Sequence, residues 1–409
     1  MGKFVVCGGK RLCGEVFVSG SKNAALPIIF ASLITHGVSE IRNLPKINDV
    51  KCALSIIENF GAKVYIDADS CLIDTTDLCY ARPSDSDVSQ LRASTYLIGA
   101  CLGRFGRAEL QRFGGCAFSF RPIDMHISAA LDFGAVEGEG VLLADSLHPA
   151  DIVFARKSVG ATVNALIMAA ATKGESRIYG YAEEPHIISL MDYLISAGAS
   201  IRRQEDCLTV SGGGLCGGSV RIGGDMIEAG SFLCASLLTG GDVFVRGFDP
   251  EELSSFFSVL SDAGVRVELY PDGVRVSGAP DRRMCVVTEA YPGFPTDLQP
   301  IFAALQARFC GGSIRETVWQ GRFGYLTELA KLGVSYRMEG DGVEILPSRL
   351  QSGVLRAVDL RGGAAAILLA LAIDGRSEIN SGEIVLRGYE RLCEKITSLG
   401  GEIFFDFEM

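Results

Sequence analysis

The feature that most constrains this chain is a unit that recurs six times along its 409 residues. In each copy a helix of small and apolar residues is closed by glycine, a short strand follows, and a second helix closes on another glycine. The first set of glycines is Gly37, Gly106, Gly174, Gly241, Gly312 and Gly375, and the second is Gly61, Gly134, Gly198, Gly264, Gly333 and Gly400. The period, roughly 65 to 70 residues, exceeds that of solenoid repeats and predicts compact α/β units in a βαβαββ-like order.

Six units in a chain of this length predict two domains of three units each. Residues 1–20 contain strands but precede the first helix, so we expect them to pair with the last unit. The first domain is therefore expected over residues 21–223, and a discontinuous second domain over residues 1–20 and 224–409. Two crossings of the chain between the domains favour a cleft between them.

Composition excludes several classes of protein. A hydrophobic content of 48% and a charged content of 21% are typical of a globular protein. The longest apolar run, Ala364–Ile373, is about half the length of a membrane span, and the first residues lack a signal peptide, so we expect a cytoplasmic protein with no membrane insertion. The net charge of -11 argues against nucleic acid as a partner.

The cysteines and histidines predict neither a metal site nor a disulfide framework. The sequence has 13 cysteines without a CxxC pair and four histidines without ligand spacing. These features indicate reduced thiols, and most of the cysteines are expected to be small core residues.

Charged residues recur where helices are predicted to begin. Several helix N-termini with added cations would form an anion site, since they present unpaired N–H groups and partial positive charge. Pro27 is expected near the first turn of the first helix, where proline is tolerated. First helices start near Lys22-Asn23, Arg92, Lys157–Gly160, Asp225 with Glu228, Thr296-Asp297 and Asp359–Arg361, and second helices near Lys46, Arg121, Glu184, Asp249, Arg322 and Arg387.

Capping is the alternative interpretation of the polar residues at these positions. Ser158, Asp225 and Asp249 are typical N-cap residues, and capping alone favours them in those positions. It does not explain the lysines and arginines, which are unfavourable at helix starts. An anionic ligand explains them.

Two further stretches carry candidate chemistry. Cys116 lies in a Gly-Gly turn before Arg121, which is a setting that makes a thiol reactive. Asp297 follows two prolines, Pro292 and Pro295, which would hold it rigidly as a general base. An N-cap role for Asp297 stays open as the alternative.

One glycine-rich motif is excluded as a nucleotide site. Residues Gly212–Gly217 match GxGxxG, but they link a strand over Cys207–Val210 to a strand over Ser219–Ile222. A dinucleotide fingerprint must open a helix. No P-loop is present, and no cofactor is predicted.

Seven motifs together resemble the enolpyruvyl transferases, in particular those whose acceptor is UDP-N-acetylglucosamine, over essentially the whole chain. The resemblance implies an α/β fold of two inside-out domains, each of three βαβαββ repeats, with a cleft between them. The motifs are SGSKNAALP at 19–27, LRAS at 91–94, GGC and RPIDMH within 114–126, KSVGATV at 157–163, FPTDLQ at 294–299, DLR at 359–361 and RGYERL at 387–392.

The resemblance also implies the reaction. The enolpyruvyl group of phosphoenolpyruvate would pass to the 3′-hydroxyl of UDP-N-acetylglucosamine by addition–elimination, with release of phosphate and without a cofactor. This is the first committed step of peptidoglycan synthesis, and so serves cell-wall biogenesis, cell shape and division. The expected partners are these two small molecules, and the expected assembly is a monomer or a weak homo-oligomer.

The resemblance assigns the catalytic residues. Lys22, Arg121 and Arg387 would hold the phosphate and carboxylate of phosphoenolpyruvate. Asp297 would take the proton from the 3′-hydroxyl, and Asp359 would assist near the reacting carbons. Cys116 would be the general acid in a lid loop and the target of fosfomycin.

The remaining residues that the resemblance assigns bind substrate. Asn23 and Arg92 would position the sugar nucleotide and the loop, and Val318 would also contact substrate. The uridine diphosphate site would be lined by Arg121, Pro122, Ile123, Asp124, Met125, Arg156, Lys157, Ser158, Val159 and Gly160.

The sequence departs from the family pattern at Asn48, where many members have lysine, at Ser119-Phe120 in the lid loop, at His186 and at Gln320-Gly321. Two alternatives are therefore kept. One is the shikimate-pathway enolpyruvyl transferase, which lacks a cysteine in this loop. The other is a catalytically weak or silent paralogue that binds UDP-sugar as a regulator.

Overall fold

A computed structural model describes residues 2–67, 70–110, 113–114 and 122–407, with the side chain of Asp87 left out. Cys116, Arg121 and the pair Ser119-Phe120 lie outside the described residues. The fold below is that of the described part.

The chain alternates short strands and helices. The strands are β1 Gly2–Gly8, β2 Cys13–Phe17, β3 Val38–Arg42, β4 Lys63–Ile66, β5 Ser70–Asp74, β6 Arg107–Glu109, β7 Val136–Gly138, β8 Val141–Leu143, β9 Asp151–Val153, β10 Gly174–Tyr179, β11 Ser200–Gln204, β12 Cys207–Gly212, β13 Ser219–Arg221, β14 Asp242–Arg246, β15 Arg266–Tyr270, β16 Gly273–Ser277, β17 Met284–Thr288, β18 Gly312–Glu316, β19 Ser335–Glu339, β20 Gly342–Leu346, β21 Val354–Arg356, β22 Gly375–Asn380 and β23 Glu402–Phe407. The α-helices are α1 Lys22–Ala31, α2 Asn48–Glu58, α3 Asp85–Gln90, α4 Leu97–Phe105, α5 Asp124–Asp132, α6 Val159–Ala171, α7 Pro185–Ser196, α8 Met226–Thr239, α9 Ser254–Asp262, α10 Gln299–Arg308, α11 Leu326–Leu329, α12 Leu360–Leu371 and α13 Leu392–Ser398. Short 3₁₀ helices cover Ser32–Ile34, Arg92–Tyr96, Pro250–Leu253, Ala330–Leu332 and Gly382–Arg387.

The described strands form six sheets, and five of them share one plan. In each of the five, a parallel strand pair is followed by two antiparallel pairings, as in the order β17-β18-β20-β19. The other four are β13-β3-β5-β4, β11-β12-β10-β9, β15-β16-β14-β2 and β21-β22-β1-β23, and the sixth sheet is β6-β8-β7. Recurrence of one sheet plan confirms the repeated unit read from the sequence.

Three sheets are completed by a strand from a distant part of the chain. Strand β1 pairs with β22 and β23, which confirms the expectation that the N-terminal segment joins the last unit. Strand β2 instead pairs with β14, in the fourth unit, so the expectation was wrong for this strand. Strand β13 pairs with β3 and closes the first sheet.

Contacts between residues divide the chain into two compact units. We name the part up to Ser19 together with Gly224 onward the terminal unit, and the part from Gly20 to Gly223 the middle unit. Three of the six sheets lie in each unit.

A buried ion pair joins the two segments of the terminal unit. The Glu228 carboxylate accepts a bond from the Ser19 backbone N–H at 2.7 Å and one from Lys395 Nζ at 2.6 Å. Lys395 Nζ also donates to the Ser19 hydroxyl at 2.7 Å. Glu228 is only 2% exposed, and this burial raises the pKa of its carboxyl group.

Helices form the interior of each unit. In the terminal unit α8, α10 and α12 pack on one another, and nearly every residue along them is buried. In the middle unit α1 and α6 are buried on all sides in the same way. Because most residues of these helices are small or apolar, they have no continuous polar face to expose and become the core. This is the inside-out α/β arrangement that the sequence analysis predicts.

Pro27 lies just after the first turn of α1, in agreement with its predicted position near that turn. The helix begins at Lys22, so Pro27 is its sixth residue. A proline there cannot donate to the carbonyl of Asn23, and the helix is held by its burial, since every residue from Ala24 to Ala31 is buried.

Two other predictions concern glycine and cysteine. Residues Gly212–Gly217 link β12 to β13, which confirms that this GxGxxG does not open a helix. The prediction that most cysteines are core residues was wrong, because these small residues also occupy outward positions of the strands. Of the twelve described cysteines, all free, only Cys71, Cys101 and Cys234 are buried.

Among the described helices, none is long and apolar enough to cross a bilayer. The described side chains also contain no group of three or more His, Cys, Asp or Glu residues placed to hold a metal ion.

Candidate active site

Asp297 in the terminal unit is held between two buried arginines. Its Oδ1 atom lies 2.9 Å from Arg322 Nη1, and its Oδ2 atom lies 3.2 Å from both Nε and Nη2 of Arg361. The arginine side chains are 3% and 4% exposed, whereas that of Asp297 is 30% exposed. The carboxylate is therefore fixed from the core side and open on the other, as a general base must be.

The segment before Asp297 is anchored by a phenylalanine. Phe294 is buried and its ring contacts those of Phe256 and Phe302. Helix α10 begins two residues after Asp297, with Leu298 in the N-cap position. The N-cap alternative for Asp297 is therefore wrong, and ion pairing fixes its side chain.

Capping does explain Ser158 and three of the other acidic residues, namely Asp225, Asp249 and Asp359. Asp359 Oδ1 accepts the backbone N–H groups of Arg361 and Gly362 at 3.0 and 2.8 Å and so caps α12. The same kind of bond places Ser158, Asp225 and Asp249 at helix starts. Asp359 thus fixes the turn that carries Arg361, and its role near the reacting carbons stays a prediction.

The Arg361 guanidinium rests on an aromatic ring. Its carbon lies 5.4 Å from the centroid of the Tyr389 ring, and the Tyr389 hydroxyl lies 2.7 Å from that of Ser231. Burial raises the pKa of Tyr389, so the ring faces Arg361 as a neutral phenol. Arg361 Nη1 and the Tyr325 hydroxyl are among the buried polar atoms of the described residues that have no hydrogen-bond partner, which is uncommon for buried groups.

Arg387 lies in a different element from the one predicted. It ends the 3₁₀ helix Gly382–Arg387, and the second helix of this unit begins later, at Leu392. Ser381 precedes the 3₁₀ helix with a left-handed φ of 55°. The 3₁₀ helix Gly382–Arg387 and the helix Leu392–Ser398 thus stand in place of the one predicted helix. Arg387 is half-buried at the end of the first of them.

Lys22 in the middle unit forms an ion pair that the sequence analysis missed. It is the first residue of α1, where Ser21 is the N-cap, and its Nζ atom lies 2.7 Å from Asp49 Oδ2. Asp49 lies in the first turn of α2 and is buried. Asn23 follows Lys22 on α1 and is half-buried, while Asn48 and Lys46 are exposed.

The residues predicted to bind uridine diphosphate surround two helix starts. Ser158 caps α6, which begins with Val159 and Gly160, and Ile123 occupies the N-cap position of α5 before Asp124 and Met125. Lys157 pairs with Glu183, and this bond raises the pKa of Lys157. Arg156 and Pro122 are exposed, and Arg92 begins the 3₁₀ helix Arg92–Tyr96.

A buried histidine connects these two helix starts. Asn164 Nδ2 donates to His126 Nδ1 at 2.7 Å, and Asn164 Oδ1 accepts from the Gly99 N–H at 2.6 Å. This orientation of the amide places the imidazole proton on Nε2. A Cβ atom on Gly160 would come within 3.0 Å of that nitrogen, so the start of α6 approaches His126 closely only because residue 160 is glycine.

We expect His126 to make the stability of the protein depend on pH. Burial, aided by Arg92, lowers its pKa from 6.5 to about 4. Between these values the unfolded chain binds a proton that the folded chain does not, so stability falls as pH decreases through this window. The shift corresponds to about 3 kcal/mol of unfolding free energy.

Urea unfolding of wild type and of a His126→Gln variant at pH 7 and pH 4 tests this expectation. The difference in stability between the two proteins should shrink by most of that amount at pH 4. A His148→Gln variant, which changes an exposed histidine, is the control. An unchanged difference for the buried position would contradict the expectation.

Val318 lies on the turn after β18 and is half-buried. Its backbone N–H and that of Trp319 both donate to Glu316 Oε1 at 2.9 Å. The sequence analysis assigned Val318 a substrate contact but missed Glu316, because nothing near this glutamate in sequence marks it as buried.

Buried helices packed against small sheets, with charged side chains at the helix starts of both units, define a two-unit α/β protein. A family profile described as EPSP synthase (3-phosphoshikimate 1-carboxyvinyltransferase) matches residues 6–396. The chain belongs to this family of enolpyruvyl transferases.

Curated relatives match the chain over nearly its whole length. A protein of Caldanaerobacter subterraneus subsp. tengcongensis named UDP-N-acetylglucosamine 1-carboxyvinyltransferase 3 is 39% identical, with 98% of this chain and 99% of the relative covered. A UDP-N-acetylglucosamine 1-carboxyvinyltransferase of Halothermothrix orenii is 37% identical, with the same coverage.

Solved structures give the same family. The enolpyruvyl transferase NikO from Streptomyces tendae superimposes with a TM-score of 0.87 at 25% identity, over 100% of this chain and 99% of that one. EPSP synthase from Acinetobacter baumannii superimposes with a TM-score of 0.76 over 100% of both chains. At 15% identity the second likeness concerns the fold alone.

Proposed function

We propose that this protein transfers the enolpyruvyl group of phosphoenolpyruvate to the 3′-hydroxyl of UDP-N-acetylglucosamine and releases phosphate, the first committed step of peptidoglycan synthesis. The observation that carries the proposal is full-length similarity at 37–39% identity to transferases named for this acceptor. The retained Lys22, Asp297 and Arg387 support it, since the reaction needs a base and cations for two anionic substrates.

Members of the family differ in the acceptor of the enolpyruvyl group. The family profile is described by 3-phosphoshikimate, so shikimate 3-phosphate is the second candidate acceptor. The EPSP synthase structures, however, are only 15% identical to this chain. The much higher identity to the UDP-N-acetylglucosamine transferases favours the nucleotide sugar.

In the proposed reaction Asp297 accepts the proton of the 3′-hydroxyl as that oxygen attacks the enolpyruvyl carbon. The Arg322 and Arg361 guanidinium groups hold the carboxylate in place and stabilise its negative charge. Asp359 keeps Arg361 at the start of α12 and assists near the reacting carbons.

The cations would bind phosphoenolpyruvate. Lys22, Arg121 and Arg387 are assigned to its phosphate and carboxylate, where they stabilise the charge that develops as phosphate leaves. Asp49 holds Lys22 in one rotamer and so prepares it for the anion. The nucleotide would lie on the starts of α5 and α6, whose N–H groups favour a diphosphate.

Cys116 is assigned as the general acid and as the target of fosfomycin. A Cys116→Asp variant is expected to keep turnover, because a carboxylic acid can also donate a proton, while losing inactivation by fosfomycin, because it has no thiol to alkylate. Residual activity after incubation with fosfomycin checks this. Inactivation of the aspartate variant at the wild-type rate would contradict the assignment.

Phosphate release from phosphoenolpyruvate tests the proposed function directly. The assay is run with UDP-N-acetylglucosamine, with shikimate 3-phosphate, and with neither acceptor. Release that depends on the UDP-sugar supports the proposal. Release only with shikimate 3-phosphate assigns the protein to the sister reaction. Binding of the UDP-sugar without release identifies a silent paralogue.

We place the reaction in the cytoplasm, where phosphoenolpyruvate and UDP-sugars are made, and expect a monomer or a weak homo-oligomer. The free thiols among the described cysteines support a reducing compartment. Fractionation of the cells and light scattering of the purified protein test these two expectations.

A further inference from the structure

Glu316 is a buried carboxylate of the terminal unit. It ends β18 beside Thr288, which ends β17, and is 3% exposed. Its Oε1 atom accepts from the Thr288 hydroxyl at 2.8 Å and from two backbone N–H groups of the following turn. Its Oε2 atom accepts from the Thr296 hydroxyl at 2.8 Å. All four donors are neutral.

The bond to Thr296 connects Glu316 with the candidate base. A threonine hydroxyl has one proton to donate, and because an ionised carboxylate only accepts, that proton points at Glu316. The lone pairs of the oxygen are then free to accept, and Arg322 Nη1 donates to them at 2.8 Å. The same Nη1 atom lies 2.9 Å from Asp297 Oδ1.

We propose that Glu316 is a positioning residue for Asp297, acting through Thr296 and Arg322. The proposal rests on the proposed function, in which Asp297 is the base. Glu316 orients the threonine hydroxyl, the hydroxyl fixes one N–H of the guanidinium, and the guanidinium fixes the carboxylate oxygen. Arg361 binds the other carboxylate oxygen of Asp297, Oδ2, independently. Loss of the hydrogen bonds that run from Glu316 through Thr296 and Arg322 therefore displaces Asp297 without releasing it.

A merely structural role for Glu316 makes a different prediction. The bonds from Thr288, Val318 and Trp319 would suffice to fix the turn after β18, and the bond from Thr296 would then be dispensable. Thr296 is half-buried, and valine has nearly the same shape without the hydroxyl. Position 296 therefore separates positioning of the base from stability of the turn.

The test compares Thr296→Val, Thr296→Ser and Glu316→Gln with wild type in the phosphate-release assay. Thr296→Val should lower kcat about 30-fold, because a misplacement of the base well below 1 Å is costly, and should leave KM for both substrates within about twofold. Thr296→Ser keeps the hydroxyl and should retain most of the wild-type kcat. Glu316→Gln should resemble Thr296→Val.

Glu344→Gln is the matched control. Glu344 lies on β20 of the same sheet and pairs with Arg283 at 2.8 Å on an exposed face, so this change should leave kcat unchanged. If Glu316→Gln fails to fold, the two threonine variants decide, with melting temperatures measured for each.

A wild-type kcat in Thr296→Val, an equal loss of kcat in valine and serine variants, or a change confined to KM would overturn the positioning role. A wild-type protein that releases no phosphate with UDP-N-acetylglucosamine would overturn the proposed function instead. The two failures are thus distinguishable.

Discussion

An Asp297→Asn variant is expected to turn over about a thousandfold more slowly than wild type, the size of effect that loss of a general base produces. Asparagine keeps the shape of the side chain and one acceptor oxygen but cannot take the proton of the 3′-hydroxyl. Since Arg322 and Arg361 both pair with this carboxylate, the variant also leaves two buried cations without their anion. Phosphate release gives kcat, and calorimetric titration gives the affinity for UDP-N-acetylglucosamine.

The affinity for UDP-N-acetylglucosamine distinguishes loss of the chemical step from structural disruption of the site. We expect the variant to bind the nucleotide sugar within a few-fold of wild type, because Asp297 is assigned to the proton and not to the nucleotide. Asp262→Asn, at the exposed end of α9, is the matched control and should be fully active. More than a tenth of wild-type kcat in Asp297→Asn would exclude this residue as the base.

A Lys395→Met variant is expected to lose about 3–5 kcal/mol of unfolding free energy, because it leaves the buried Glu228 without its counter-charge. Methionine occupies a similar volume, so the loss of unfolding free energy measures the effect of removing the charge. Burial raises the pKa of Glu228, and a raised pKa favours folding most below the ordinary pKa of glutamate, where the carboxyl is protonated in both states. The difference in unfolding free energy between wild type and Lys395→Met should therefore be large at pH 7.5 and small near pH 4. Urea unfolding at both pH values measures it.

Two further variants complete that experiment. Adding Glu228→Gln to Lys395→Met removes the unpaired charge and should restore most of the loss. Lys10→Met breaks an exposed pair of nearly the same length, 2.9 Å to Glu402, and should leave the stability unchanged within error because solvent screens it. Equal losses from the buried and the exposed lysine would show that burial is not the cause.

Features of the fold that depend on neighbours in sequence were predictable. The glycines of the second set follow helix ends as predicted, for example Gly134 and Gly264, whereas Gly174, Gly312 and Gly375 of the first set begin strands and do not close helices. The caps at Ser158, Asp225 and Asp249 also follow from local chemistry. The partner of β2 was not predictable, because an alternating five-residue strand fits any sheet edge of matching polarity. The two short helices around Arg387 were not predictable either, because the left-handed conformation of Ser381 is uncommon for a residue other than glycine.

The candidate site likewise contains residues that the sequence marks and partners that it does not. Asp297 and Lys22 stand out in sequence because an acid after two prolines and a lysine at a helix start are unusual. Their partners Arg361 and Asp49 lie 64 and 27 positions away, and the sequence contains many arginines and aspartates at such distances. Glu316 carried no signal at all, because its burial depends on a turn that its own side chain caps.

The pairing of β1 has a consequence for synthesis on the ribosome. Its partners span Gly375–Asn380 and Glu402–Phe407, so β1 leaves the exit tunnel long before either of its neighbours. The middle unit, by contrast, has all its described strands once β13 has emerged. Until β22 and β23 have emerged, the apolar segment 4–6 is a bare strand with two open edges, the kind of segment that chaperones shield and that drives aggregation. The burial of this segment therefore waits for two strands that are made much later.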